Sequence, residues 1–470
     1  MKQRILYSLF FIFLITGVQA QQQNPLPRLY TAEEFVEQVR AYHPLARQAA
    51  LRVDIAKADL LAARGNFDPT ASLNSERKTF DGKNYFFYNN PEVKVPTWFG
   101  ANIKAGIENN GGDRITREIT TGQSSYLGIE MPLARNLLMD KRRASVLKAE
   151  AYRSLSEQER LAALNDVLFE AYQTYWNWAG YYQLYNVYSR FVQVSSERFR
   201  LVKIAFVNGD RAEMDTIEAL AQLQSFQVAQ AEALIKLRNS MLEISNFLWM
   251  PTGDTAYLLP DNFRPDTTNF TKVDIQVATL NDFLNRAITE NPSLRSYDFK
   301  LNALNVERRL AFQSLLPYVD VKYNLLNKGY YVLKDANAQL FENNYKWGLS
   351  VKMPLFLREG RGAYKAAQFK IRETELQLSN KRWEIENKIR FYFTEFNTIQ
   401  QQLLLLQNAY TNYTKLLRAE ELRFFNGESS LFMINTRENK ALETLEKLTA
   451  TRIKYYKARY ALEWSAGLLR

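Results

Sequence analysis

A chain of 470 residues with no cysteine and a single histidine must hold itself together by packing alone, and it offers no soft metal-ligand cluster. Its formal charge is +11, but the lysines and arginines are interspersed with acidic residues along the whole length, a solvated mixed-charge surface and not a nucleic-acid footprint. Beyond the N-terminus no stretch supplies the roughly 18 uninterrupted apolar residues of a membrane-crossing helix, so any entry of the mature chain into a bilayer is expected as strands.

The chain opens with Lys2 and Arg4, continues through the apolar run from Ile5 to Val18 and reaches a small-residue site at Ala20. This pattern predicts a secretory signal over residues 1–20 and a mature chain starting near Gln21. With no cysteine in the chain, a lipid anchor on an N-terminal cysteine is not expected.

The rest is written twice. Thr31 to Pro69 aligns without a gap with Thr279 to Pro317: Thr31 with Thr279, Phe35 with Phe283, Pro44 with Pro292, Arg47 with Arg295 and Ala63 with Ala311. Each copy predicts a capped helix, a break at His43-Pro44 or Asn291-Pro292, and a second helix stopped by Pro69 or Pro317. Met131-Pro132-Leu133 then recurs as Met353-Pro354-Leu355, and Phe206 to Gly209 recurs as Phe424 to Gly427. The segment from Pro69 to Pro132 is 26 residues longer than that from Pro317 to Pro354, an insertion that could hold strands or loops. The resulting division is a first repeat at 21–250, with strands near 70–131 and a helical hairpin near 137–250; a Pro- and Gly-containing linker at 251–272; and a second repeat at 273–470, with strands near 318–353 and a hairpin near 360–468.

Between the proline markers the periodicity falls to two. Val319, Val321, Tyr323 and Leu325 alternate with Asp320, Lys322 and Asn324, and Tyr345, Trp347, Leu349, Val351 and Met353 alternate with Lys346, Gly348, Ser350 and Lys352. In the first copy Phe99, Ala101, Ile103, Ala105 and Ile107 alternate with Asn102, Lys104 and Glu108, and Leu127, Ile129 and Met131 follow. These are strands with one apolar and one wet face. A soluble sandwich and a membrane barrel share that alternation, but two to four strands per half are too few to close a wall, so a barrel requires several copies of the chain. Tyr85, Phe86, Phe87, Tyr88, Trp98 and Trp347 suit either a membrane-interface girdle or an ordinary core.

After each second proline marker the period returns to that of a helix. Ile385, Ile389, Tyr392, Phe396, Ile399, Leu403, Leu406, Tyr410, Tyr413 and Leu417 form a coiled-coil seam, as do Leu161, Leu164, Leu168, Ala171, Tyr175, Trp178, Tyr182 and Tyr185. A helix from Asp140 to Val207 would be on the order of 100 Å long, beyond the reach of a compact domain of this size. Asn208-Gly209 and Asn426-Gly427 end the two helices. New helices are expected at once, capped by a box of Asp210 and Glu213 in the first copy and by Ser429 or Ser430 in the second. The aromatics of the first helix, Tyr172, Tyr175, Trp176, Trp178, Tyr181, Tyr182, Tyr185 and Tyr188, are expected to pack between helices. The fold class is thus mainly α with a small β part.

No catalytic constellation emerges. Gly360 and Gly362 lack the lysine spacing of a phosphate loop, and the adjacent acids Glu33-Glu34 and Glu420-Glu421 do not face one another on a helix. Neither enzyme activity nor a cofactor is expected.

In the doubled order of helix pair, strands and long hairpin, in its His-Pro and Asn-Pro breaks, its Met-Pro-Leu junctions and its Phe-Val-Asn-Gly and Phe-Phe-Asn-Gly turns, the chain resembles the TolC-like outer membrane efflux protein family. The resemblance implies a homotrimer in the outer membrane of a Gram-negative bacterium, in contact with its lipid and not with nucleic acid. It implies a shared barrel of twelve strands and a helical tunnel through the periplasm. It places the strand–helix junctions at Pro69, Pro132, Pro317 and Pro354. The turns Asn208, Gly209, Asp210 and Asn426, Gly427, Glu428 become the tip that docks a periplasmic adaptor, itself coupled to an inner-membrane pump. The tunnel end would be gated near Asp215, Met433 and Thr436; two of these depart from the acidic pattern of the best-known members, so an acidic cation gate is not carried over. Two rivals remain: an exported coiled-coil scaffold or adhesin, and a conduit for protein secretion instead of small-molecule efflux.

Overall fold

The computed structural model describes residues 27–116, 119–252, 255–268, 270, 279–329 and 344–470. The expected signal and parts of the expected linker lie outside these residues.

The first repeat begins with a short strand β1 (Arg28–Tyr30), helix α1 (Ala32–Tyr42) and helix α2 (Pro44–Arg64). Thr31 caps α1 by accepting from the Glu34 N–H at 3.1 Å. His43 both ends α1 and starts α2, its Nδ1 accepting from the Leu45 N–H at 3.3 Å, while Pro44 takes the first helical position, where a missing N–H costs nothing. Four strands follow: β2 (Thr70–Phe80), β3 (Lys83–Pro96), β4 (Asn102–Gly111) and β5 (Gly122–Pro132). Asp81 and Gly82 join β2 to β3 with φ of +53° and +70°, the pair of left-handed residues a two-residue hairpin turn requires. Helix α3 (Lys141–Val207) and helix α4 (Glu213–Ser245) form the first hairpin.

A short strand β6 (Phe263–Pro265) pairs in parallel with β1 and ties the connecting segment to the start of the chain. The second repeat then runs through α5 (Leu280–Glu290), α6 (Pro292–Gln313), β7 (Tyr318–Lys328), β8 (Tyr345–Lys352), α7 (Arg358–Phe425) and α8 (Leu431–Ser465). Its entry repeats the chemistry of the first: Thr279 and Asp282 form a reciprocal capping box, and Asn291 accepts from the Ser293 N–H at 2.9 Å ahead of Pro292.

The strands of both repeats join one antiparallel sheet in the order β2-β3-β4-β5-β7-β8. Repeats meet along β5 and β7, from Ser124 opposite Lys328 to Pro132 opposite Asp320. By position after the helix pair β2 corresponds to β7, and by position before the Met-Pro-Leu junction β5 corresponds to β8. The insertion is therefore β3 and β4. Among the described residues the sheet has six strands.

Helices α3 and α7 contain 67 and 68 residues, each on the order of 100 Å of rod. Asp140 caps α3, accepting from the Arg143 N–H at 2.8 Å. Phe35, Val36 and Val39 of α1 pack on Leu168, Tyr175 and Trp178 of α3, and Phe283 and Ala287 of α5 pack on Ile385 and Ile389 of α7. The hairpins are joined by stacked rings between α3 and α8: Phe169 on Trp464 at 4.2 Å, Tyr172 on Tyr460 at 3.6 Å and Trp176 on Tyr456 at 3.8 Å. Tyr175 lies under this ladder and donates to the Tyr30 carbonyl at 2.7 Å; burial pushes its phenol pKa up, so it stays a neutral donor.

One expected cap is absent. Asp210 and Glu213 do not form a capping box: α4 starts at Glu213 behind Ala212, which supplies no side-chain bond, because the Asp210 N–H is already committed to the Ala205 carbonyl at 2.9 Å. In the second copy the cap is Ser430, accepting from the Met433 N–H at 3.4 Å, whereas Ser429 donates to Glu420.

Candidate functional site

Two regions concentrate the charged and exposed groups. The first is the sheet. Its register places Val95, Ile103, Ile129, Tyr323 and Trp347 in one row and Ala71, Val93, Ala105, Leu127, Leu325 and Tyr345 in the next, all on one face. Most of these apolar side chains stand exposed. The opposite face is charged yet more enclosed: Glu130 on β5 sits among Lys104 at 2.7 Å, Lys322 at 3.4 Å and Lys94 at 3.8 Å, drawn from three other strands. Tyr126 donates to Glu92 at 2.5 Å, and its ring covers Gly106, where a Cβ would stand 2.5 Å from it. Apolar outside and polar inside is the inverse of a soluble sheet. Among the described residues no strand pairs with the outer edge of β2 or β8, leaving rows of open N–H and C=O groups at both ends.

The proline markers stand where sheet becomes helix. Pro69 precedes β2, Pro132 ends β5, Pro317 precedes β7 and Pro354 follows β8. Leu133 N–H donates to the Val319 carbonyl at 2.7 Å and Arg135 N–H to the Pro317 carbonyl at 3.0 Å, binding the two junctions together.

The second region is the far end of the hairpins. Both turns close identically: Gly209 and Gly427 adopt φ of +83° and +78°, and the N–H groups of Asp210 and Glu428 reach back to the Ala205 and Arg423 carbonyls, each at 2.9 Å. This is the Schellman arrangement, which favours glycine at the left-handed position. Asn208, Gly209, Asp210, Asn426, Gly427 and Glu428 are all exposed. Arg211 beside the first turn lies over the Phe424 ring of the second at 4.3 Å, which sets the turns side by side. Asp215, in the first turn of α4, faces Arg211 at 3.9 Å; Met433 is half-buried, and Thr436 is exposed with its hydroxyl donated to the Phe432 carbonyl at 2.8 Å.

Above the turns the hairpins are fastened by contacts that periodicity does not reveal. Arg198 of α3 holds Glu438 of α8 with two parallel bonds of 2.7 and 2.9 Å. Asn435 donates to Glu218 at 3.0 Å, and Gln222 to Asn439 at 2.7 Å, linking α8 to α4. Buried Glu420 accepts from Ser429 and faces Arg423 and Arg437, each at 3.9 Å. One signal was available: Arg198 lies eleven residues before Gly209 and Glu438 eleven after Gly427, equal heights on adjacent antiparallel helices.

Residues 283–467, nearly all of the second repeat, match the model of the outer membrane efflux protein family. The whole chain carries the same fold as solved outer-membrane channels. The second repeat is thus similar to the outer membrane efflux protein family in sequence, and the chain as a whole is similar to outer-membrane channels in fold. One similar structure is the open state of the MtrE outer membrane channel of Neisseria gonorrhoeae, at TM-score 0.64 and 13% identity over 93% of this chain and 89% of that one. The CmeC outer membrane channel of Campylobacter jejuni matches at TM-score 0.61 and 15% identity over 100% and 94% of the two chains. The outer membrane protein VceC of Vibrio cholerae matches at TM-score 0.61 and 14% identity over 93% and 96%. No curated protein sequence matches the chain. Among the described residues no helix is long and apolar enough to cross a membrane.

Proposed function

We propose that this chain is the outer-membrane exit duct of a tripartite efflux machine, a passive conduit built from three copies. The observation that carries this reading is the sheet: dry on one face, charged on the other and open at both edges, it is set on helical rods on the order of 100 Å long. Open edges in lipid are untenable, and β2 of one copy against β8 of the next removes them. The helices support the same assembly. Val228, Ile235 and Leu242 on α4, and Phe369, Leu376 and Trp383 on α7, are exposed apolar residues spaced by seven, seams of the kind that neighbouring helices fill.

Solute moves through a water-filled tunnel that the helices prolong into the periplasm. Asn208, Gly209, Asp210, Asn426, Gly427 and Glu428 form the surface on which a periplasmic adaptor docks, and an inner-membrane pump supplies the free energy. Parting the hairpins to open the tip breaks the Arg198–Glu438 pair and lifts Arg211 off Phe424. Asp215 is paired to Arg211, and Met433 and Thr436 carry no charge, so the gate region selects little for cations. The test is a gene deletion scored two ways. Efflux predicts drug or metal sensitivity with an unchanged profile of secreted proteins; loss of a secreted protein with unchanged sensitivity makes the chain a secretion conduit; recovery of the chain in the soluble fraction makes it a scaffold.

A further inference from the structure

We propose that a cavity between α3, α4 and α8 binds a small organic cation, an ammonium carried on one aromatic ring; the site stands on its own geometry and does not depend on the duct reading. The cavity holds about 320 Å³, at the lower end of the range for small-molecule sites. Its wall combines the aliphatic side chains of Leu184, Ala233 and Ile453 with the rings of Tyr181 and Tyr188, which lie seven residues apart on α3 and so share one flank of that helix. Gly180 draws α3 and α8 together at this level: a side chain there would collide with Ile453.

The charge of the cavity comes from Glu446 of α8, which is half-buried. Among the described residues Glu446 takes no hydrogen bond and no ion pair, while the lysines nearest to it along the helix, Lys440 and Lys447, both answer to Glu443, at 2.9 and 2.7 Å. Burial pushes the Glu446 carboxyl pKa above its ordinary value, the mark of a charge that nothing compensates. From α4, Glu232 and Lys236 face the cavity one turn apart; both are exposed and cancel in charge. The lining thus carries one net negative charge in a space walled by rings and alkyl groups. An organic cation meets both demands: its ammonium lies against the carboxylate and the tyrosine faces, and its ring covers the aliphatic wall. A metal ion needs several oxygen ligands, and among the described residues no three acidic, histidine or cysteine side chains gather to hold one.

The cavity is separate from the exposed seam of α4. At 3.6 residues per turn, the stretch of α4 that lines it, from Ala229 to Lys236, is turned by roughly 110° from Val228, Ile235 and Leu242, so a helix packed in the seam does not fill the cavity. Because α3 and α4 belong to the first hairpin and α8 to the second, the bound cation touches both.

The probe is benzyltrimethylammonium, which has one ring and a permanent charge, with benzenesulfonate as its anionic counterpart; binding to the full-length particle in detergent is measured by equilibrium dialysis. Saturable binding of the cation and none of the anion is expected. Glu446→Gln should weaken the cation by about tenfold or more and Tyr188→Leu by roughly threefold. Glu243→Gln, an exposed carboxylate of α4 outside the cavity, should leave affinity unchanged. Ala450→Arg sets a fixed cation at the exposed rim without touching the core and should abolish binding. Absence of saturable binding, equal uptake of the two probes, or unaltered affinity in either Glu446→Gln or Ala450→Arg overturns the proposal and leaves the duct standing.

Discussion

Removing Glu438 should loosen the far end of the hairpins more than any other single surface-distant change. Its side chain is 3% exposed and its partner Arg198 15%, so the pair sits almost wholly out of water. Glu438→Ala leaves the guanidinium buried without its carboxylate, a defect that costs about 3–5 kcal/mol. At about 1.4 kcal/mol per tenfold, local opening becomes roughly two to four orders of magnitude more frequent. Native-state hydrogen exchange reads this directly at the amides of α3 near Arg198 and α8 near Glu438, with amides near Trp176 as an internal control. The double replacement Arg198→Met with Glu438→Leu removes both charges and should recover most of the protection, since apolar replacement of a buried pair is often neutral or stabilising. Exchange at the tip unchanged within a factor of three in Glu438→Ala would refute the claim that this pair fastens α3 to α8.

Gly427→Ala should cost about 1–2 kcal/mol from its left-handed backbone alone, because a Cβ there meets nothing within 4 Å. Gly427→Asn should cost less, and Gly209→Arg or Gly427→Arg should abolish efflux with trimers still assembled; normal efflux in the arginine variants would exclude the turns from docking. Trp176→Ala removes a buried ring stacked on Tyr456 at 3.8 Å and should cost about 3–5 kcal/mol, seen as a lower urea midpoint. Glu130→Gln strips Lys94, Lys104 and Lys322 of their counter-charge, so the reversal potential in a salt gradient should move toward the anion value; an unchanged reversal potential would place these groups outside the conduction path.

Sequence revealed most where structure is set by neighbours along the chain. The turns at Asn208-Gly209 and Asn426-Gly427 are closed by bonds spanning five residues, so their chemistry is written within a few positions. The seam from Ile385 to Leu403 reports burial against α8 and α5 because helical period and packing coincide: Ile385, Ile389, Phe396, Ile399 and Leu403 are all buried. Strand β2 was harder to see. Thr70 to Phe80 contains only Ala71, Leu73 and Phe80 as apolar residues, and its place in the sheet comes from pairing with β3 through the Asp81-Gly82 turn. That dipeptide is a recognised hairpin signal and the clue that β2 and β3 pair, beside the alternation from Phe99 to Ile107 that marks β4. The Arg198–Glu438 and Lys104–Glu130 contacts depend on which helices and strands become neighbours, information that no local pattern carries. The Asp210–Glu213 box failed for a related reason: spacing suited a cap, but the turn had already used the Asp210 N–H.

Whether three copies complete one water-filled wall is decided by purifying the particle in detergent, determining its mass and recording single channels in a planar bilayer. The particle should have the mass of three chains and show a stable ohmic conductance. A monomer that remains dispersed without detergent and leaves the bilayer silent would contradict it.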